Sequence, residues 1–327
     1  MNASLAYYSD LIPFIMSMVA LGIVAVEWIV LTITERMENH KEGWTNVASA
    51  ALSYLPLFIL NKFVTIGLMF WLYEYRLFDL SLAWYVWIAA HFGYDFMFFA
   101  VHWLSHKVRI LWCIHSVHHA PKEMKSSVAF RGSLFDFLVT PHTTVWLVLF
   151  GFHPLMIIII EGVVMLYGMP LHLKPSLLPK NEPLWLRKLF ITPGNHRIHH
   201  ARNGIYLDTN FGLNYTLWDA LLKTLQFERK NIPVKYGTVR YVDSTNLIDS
   251  QTDEFVALWK DIRSTPRFMD KVKYIFMPPG WNHLDGGLTA TEIRQKALAE
   301  IETTEEAPVP AVTESETSES SQDLVKV

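Results

Sequence analysis

Ser81–Leu104 reads SLAWYVWIAAHFGYDFMFFAVHWL, and the next two residues complete His102-Trp-Leu-Ser-His106. The run is longer than the ~20 residues a helix needs to cross a bilayer. It also carries His91, Asp95 and His102 among its apolar residues. On a helix, His91, Asp95, His102 and His106 fall within about 60° of arc, one stripe along one face. Asp95 lies ~10 Å below His102 along the axis, too far to share a metal with it unaided. A carboxylate inside an apolar run is costly and is kept for a reason. The expected role for Asp95 is to orient a ligand histidine or to carry protons.

Outward from this stretch, histidines recur in fixed spacings. His115-Ser-Val-His118-His119 and His196-Arg-Ile-His199-His200 are two HxxHH motifs, and His172 stands alone between them. Residues i, i+3 and i+4 of a helix share a face, so each motif is expected to aim its imidazoles at one spot. One HxxxH by itself is as readily a pair of hydrogen-bonded core histidines. Three such motifs with no low-complexity tract are not. The chain has one cysteine, Cys113, which excludes an internal disulfide and a thiolate cage. Ligands must then be imidazoles and carboxylates, and imidazole suits Fe, Zn, Cu and Ni. The candidate metal ligands are His102, His106, His115, His118, His119, His172, His196, His199 and His200. A single site uses about three or four, so this set predicts two metals with positions left open. His40, His142, His153 and His283 fit no spacing and read as structural or surface residues.

The remaining sequence is that of a membrane protein. Of 327 residues, 51% are hydrophobic and 14% aromatic, too apolar for an ordinary soluble domain. The net charge of −3 gives no basic footprint for nucleic acid. Leu11–Thr34 is a first apolar run without signal-peptide flanks, read as a retained helix. Val47–Tyr73 is a second, broken by Pro56 and by Asn61 and Lys62, after a polar linker Glu35–Asn46. Phe137–Met169 is interrupted by Gly151-Phe-His-Pro154, which leaves two limbs of ~13–15 residues, each short of a full crossing. Histidine motifs lie on both sides of this run and must meet, so it is expected to dip into the membrane and return. Glu161 sits on the returning limb as a second candidate catalytic carboxylate, facing the substrate cavity or the metals, and Glu27 on the first helix is a weaker one.

The expected fold is all-α: a multi-pass membrane helical bundle with a cytosolic, histidine-lined di-metal lobe. Residues 1–92 form N-terminal transmembrane helices and 93–230 the catalytic region, with its membrane hairpin at 137–169. Residues 231–302 form a cytosolic appendage, and 303–327 an acidic tail too poor in apolar residues to fold. Lys107, Arg109, Lys122, Lys125, Arg131, Lys174, Lys180, Arg187, Lys188 and Arg197 lie among the histidines, and none precedes the first helix. The positive-inside bias puts the histidine face in the cytoplasm, of a bacterial inner membrane or the endoplasmic reticulum.

The order Asp95, HxxxH, HxxHH, isolated His172, then Thr192-Pro-Gly-Asn-His196-Arg-Ile-His199-His200 resembles the fatty acid hydroxylase/sterol desaturase superfamily over roughly Gly93–Leu225. Asp208-Thr-Asn-Phe-Gly212 and Trp218-Asp219 resemble its closing segment, with Phe in place of Tyr. His200-Ala-Arg202-Asn203 and Pro278-Pro-Gly-Trp281 resemble the alkylglycerol monooxygenase-like branch. The resemblance implies two iron ions, which zinc can replace in purified protein, and O2-dependent attack on a C–H bond of a membrane lipid. Hydroxylation, desaturation, or oxidative cleavage of an alkyl ether are the outcomes it covers. No nucleotide loop or haem motif is present, so electrons must come from a redox protein or a soluble reductant such as a reduced pterin. A histidine-rich metal transporter is the rival reading. Transporters place their ligands near the bilayer midplane, whereas most of these histidines fall at or beyond the ends of apolar runs.

Overall fold

The computed structural model describes residues 3–60, 64–179 and 181–306. The described chain is helical, with two isolated β-bridges, Phe190 with Tyr215 and Ala201 with Tyr236. The first part consists of α1 (Ala3–Ile33), α2 (His40–Leu60), α3 (Ile66–Tyr73) and α4 (Trp84–Lys107). The polar linker is shorter than its composition suggests, because α2 begins at His40. Asn61, Lys62, Lys180 and residues 307–327 of the tail lie outside the described residues.

Among the described residues, two helical stretches are long and apolar enough to cross a bilayer, Leu11–Ile33 and Pro154–His172. The second is longer than the sequence reading allowed, because α6 (Pro154–Gly168) is prolonged by a 3₁₀ turn at Pro170–His172. Among the described residues the other apolar runs do not reach that standard. In α4 the interruptions are His91, Asp95, His102 and His106, the residues that make the helix useful.

Between Arg131 and His172 the chain leaves one point and comes back to it. The Arg131 carbonyl bonds His118 Nδ1 at 3.2 Å, and His172 Nε2 lies 3.3 Å from His118 Nε2. The outgoing limb winds through short 3₁₀ turns up to Phe150 instead of the regular helix its apolar run suggests. Gly151 then takes φ +100°, and His153 caps α6 by accepting the Leu155 N–H at 3.2 Å. Both limbs pack on α4, and Val145, Leu147, Val148, Met156, Ile157 and Val164 bury against Ala90 and Tyr94. On its other side α6 meets α1, where Gly162 lies against Pro13. A small residue there lets the backbones approach closely.

A buried polar layer ties the first two helices to the bases of this loop. Glu27 accepts the Ser126 and Lys174 N–H groups, the latter at 2.7 Å. Glu42 accepts Lys122 N–H at 2.9 Å, Glu123 N–H at 3.2 Å and the Ser244 hydroxyl at 2.6 Å. Arg131 donates to Val117, Asn46 and Ser244. Glu27 is therefore a brace and reaches neither histidine group.

After α5 (Arg109–His119) and the loop just described come the short helices α7 (Leu184–Leu189), α8 (Pro193–His199) and α9 (Leu217–Leu221). The segment expected as an appendage packs onto this lobe. Here α10 (Leu247–Arg263) and α11 (Phe268–Phe276) pack on α5, burying Cys113 with Leu258 and Tyr274. The last described helix, α12 (Ala290–Glu306), packs on the turn at Gly204–Tyr206 and runs past Thr303.

A Cβ on Gly151 would sit 2.1 Å from the Phe78 carbonyl in a conformation L-residues avoid. Gly151→Ala should therefore cost at least about 1–3 kcal/mol, the usual range for such backbone strain. Gly22→Ala, which meets nothing within 4 Å, should be harmless. Equal thermal midpoints for the two variants in one detergent would show the turn to be dispensable.

Candidate metal centre

Each histidine motif sits on a helix whose other residues explain its placement. His102 and His106 end α4, one turn apart on the stripe predicted from the sequence. His115, His118 and His119 occupy the last turns of α5. On α8, Thr192 is the N-cap and accepts the Asn195 N–H, Pro193 fills the first turn, and His200 is the C-cap.

The nine predicted histidines converge, but in two groups. His102, His106, His115, His119 and His199 form one; His118, His172, His196 and His200 form the other. Within each group the potential ligand atoms lie within 4.8 Å of one another. The expectation that each motif serves one spot needs correction. The i and i+4 members of each HxxHH go to one group and the i+3 member to the other. On a helix i+4 is displaced by about 40° from i in one sense and i+3 by about 60° in the other. The motif therefore straddles a boundary, and α5 and α8 do so in opposite senses. The groups abut where the His119 and His200 rings stack at 4.4 Å.

The hydrogen bonds decide which nitrogens face inward. His102 Nδ1 lies 2.8 Å from the Phe211 carbonyl and His199 Nδ1 2.8 Å from that of Thr209. His172 Nδ1 is 3.0 Å from the Gly168 carbonyl, and His118 Nδ1 meets Arg131 as above. A carbonyl only accepts, so in each neutral ring Nδ1 carries the proton and Nε2 a bare lone pair. The buried Nε2 atoms of His102, His106 and His199 have no hydrogen-bond partner. His118 and His172 present two bare lone pairs to each other at 3.3 Å. No hydrogen bond can form between them, and His172 Nε2 lies 2.8 Å from His196 Nε2 as well, so ring nitrogens from three elements converge on one point as the ligands of a cation do. The residues thus fit metal ions.

The electrostatics agree. Burial, then repulsion from neighbouring imidazoles, holds His115, His119, His196, His199 and His200 well below the ordinary histidine range. Burial also brings His118 down to about 4. Neutral imidazole is the form that ligates. Burial pushes Asp208 upward, but His106 and Lys107 beside it outweigh this and keep it ionised.

Two predicted carboxylates stand elsewhere. Asp95 is buried and accepts the Asn214 N–H at 2.9 Å and the Trp218 Nε1–H at 3.0 Å. It belongs to neither group; it anchors Asn214 and Trp218, a few residues beyond the Phe211 whose carbonyl meets His102. Glu161 lies beside Tyr94 on α6 and is also in neither group. It precedes His172 by eleven residues, about 16 Å of helical rise. Sequence reasoning missed the acceptors that orient the rings, Thr209, Phe211, Gly168 and Arg131, because they act through backbone carbonyls. Asp208 and Asp219 were visible only as parts of the closing motif.

A cavity of about 230 Å³ opens against His106, His119 and His199. Its other walls include Trp112, Arg109 and Asp208, and Gly280 and Ile293 from the C-terminal segment.

A helical lobe in which nine histidines converge in two groups, beside two helices long and apolar enough to cross a membrane, has the donor set of a histidine-rich metal site. Residues 87–224, which contain all nine, match the model of the fatty acid hydroxylase family. The chain is 29% identical to human alkylglycerol monooxygenase over 84% of its length and 60% of the relative's. It is 26% identical to the Xenopus tropicalis enzyme of that name, over 73% of this chain and 52% of the relative. Against the Caenorhabditis elegans enzyme the identity is 30%, over 62% and 41%. The chain thus spans about half the length of these relatives. No solved structure matches it.

Two groups of ligands predict about two metal ions per folded chain. His199→Ala should lower that number, because a missing imidazole leaves a position that water fills poorly. Elemental analysis finding one ion or none in folded unsubstituted protein would refute the two-ion reading, whereas zinc in place of iron would not.

A second expectation concerns metal-free protein. A histidine with its folded pKa near 4 binds its proton more readily when unfolded, near 6.5. Stability from that difference is present above pH 6.5 and is lost as pH falls toward 4. Thermal midpoints of chelator-treated protein should drop across that window. A midpoint that stays level between pH 6.5 and 4 would contradict the burial of neutral imidazoles.

Proposed function

We propose that this chain is a membrane-bound di-iron oxygenase that uses O2 to attack a C–H bond of a lipid. The observation that carries the reading is the convergence of nine imidazoles in two adjacent groups, with the Nε2 atoms of His118 and His196 both turned on that of His172. The fatty acid hydroxylase match supports hydroxylation, and the named relatives favour an alkyl ether lipid as substrate. Ether cleavage would then follow from hydroxylation at the carbon next to oxygen. A sterol or fatty acyl substrate is the alternative within the family.

Two redox-active ions, when bound, supply O2 activation. The chain's own residues do the rest. Nine imidazoles would hold the ions, and the Thr209, Phe211, Gly168 and Arg131 carbonyls fix five-membered rings that would otherwise turn. The apolar faces of α1, α4 and α6 offer the lipid a route from the bilayer, with Leu171 and Leu213 packed beside the site. The cavity beside His106, about 230 Å³, is smaller than the ~300–1,000 Å³ usual for pockets that enclose a drug-sized ligand. It suits small reactants arriving from water, with electrons supplied by a reduced pterin or a redox protein. We place the lobe on the cytoplasmic side from its basic residues. Asp95 acts in this scheme by positioning, and the distance of Glu161 argues against contact with the ions.

The test is purified protein loaded with Fe(II), given isotope-labelled O2, a reductant and a panel of alkylglycerols, fatty acids and sterols. One labelled oxygen atom should enter a lipid product, and His199→Ala should make none. Metal flux across proteoliposomes without lipid oxidation would replace this reading with transport.

A further inference from the structure

Three of the five imidazoles in the first group take their orientation from one short strap, Asp208–Gly212. His199 is held by the Thr209 carbonyl and His102 by that of Phe211, both at 2.8 Å. His106 Nδ1 lies 3.5 Å from Asp208 Oδ1. The strap is bent into a shape that side chains rarely favour, with Asp208 at φ 55° and Asn210 at φ 56°. It is pinned accordingly. Asp219 accepts the Phe211 and Gly212 N–H groups at 2.8 Å each, and Asn210 donates to the Asn195 and Gln226 carbonyls. Lys107 pairs with Asp208 from the other side.

The second group has no equivalent. His118 and His172 are oriented by neutral carbonyls of Arg131 and Gly168. Among the described residues, Asp208 provides the carboxylate that faces a ring nitrogen of either group. A carboxylate at Nδ1 fixes the ring as a carbonyl does and also strengthens Nε2 as a donor.

We propose that Asp208 is a positioning residue that makes the two metal positions unequal: it orients and strengthens His106, so that the five-histidine group holds its ion more tightly. The inference rests on reading the two groups as metal-binding, and it is independent of which lipid reacts.

The experiment is titration of full-length, metal-free protein with cobalt(II), followed by visible absorption and calorimetry. Unsubstituted protein should show two classes of site. Asp208→Asn is the informative change, because Asn tolerates a left-handed φ as Asp does and the substitution keeps the side chain's shape while removing the charge and one of its two acceptor oxygens. It should weaken the tighter class ~10–100-fold and leave the weaker class where it was, which also serves as the folding control. Because Asp208 acts through His106, Asp208→Asn should add nothing to His106→Ala in the double variant. Weakening of both classes together, no weakening, or additive losses in the double variant would each overturn the proposal. Failure of the unsubstituted protein to bind cobalt at all would instead sink the metal reading beneath it.

Discussion

Two nitrogen lone pairs 3.3 Å apart, on His118 and His172, set the terms for the rest of the molecule. Each exists because a carbonyl has taken the proton on the far side of its ring. His196 Nε2 crowds the same point at 2.8 Å from His172 Nε2, and the surrounding structure must hold these rings together. That requirement accounts for the buried polar layer of Glu27, Glu42, Glu123, Lys125, Lys174 and Arg131. Its hydrogen bonds join α1 and α2 to the chain just after His119 and just after His172. Buried charges are tolerable only when paired and hydrogen-bonded, and here Lys125 and Lys174 both pair with Glu123.

The same logic explains the division of the motifs. A helix cannot aim i, i+3 and i+4 at one ion without crowding, but it can straddle two. With α5 and α8 facing each other, each contributes a pair to one group and a single ring to the other. The outcome is two adjacent positions built from a repeated local pattern, with His102, His106 and His172 completing them. The α4 pair belongs wholly to the five-histidine group, which makes that group the larger.

The lobe is also covered by the C-terminal segment. The packing of α10 and α11 on α5 puts Arg109 in an ion pair with Glu254 at 3.1 Å, and the Arg109 N–H bonds the Met277 carbonyl. These contacts place Pro279, Gly280, Leu288 and Ile293 over the cavity beside His106. In the proposed function this gives the site two different surroundings, apolar helices for a lipid and a mixed polar pocket for small reactants. The C-terminal segment is then part of the site's enclosure.

The sequence by itself determined the nine histidines that converge, the position of the chain reversal at Gly151–Pro154, and the helical class. These are local properties: spacing fixes which residues share a helix face, and a glycine followed by a proline interrupts an apolar run. The tertiary structure alone decided how the histidines divide, because that depends on the facing of α5 and α8, helices separated by more than seventy residues of chain. It alone decided that Asp95 anchors Asn214 and Trp218, and that residues beyond 231 roof the lobe. The ring-orienting acceptors could not be read in advance for a simple reason. Every residue has a carbonyl, so residue type carries no sign of which ones a folded backbone will turn toward an imidazole.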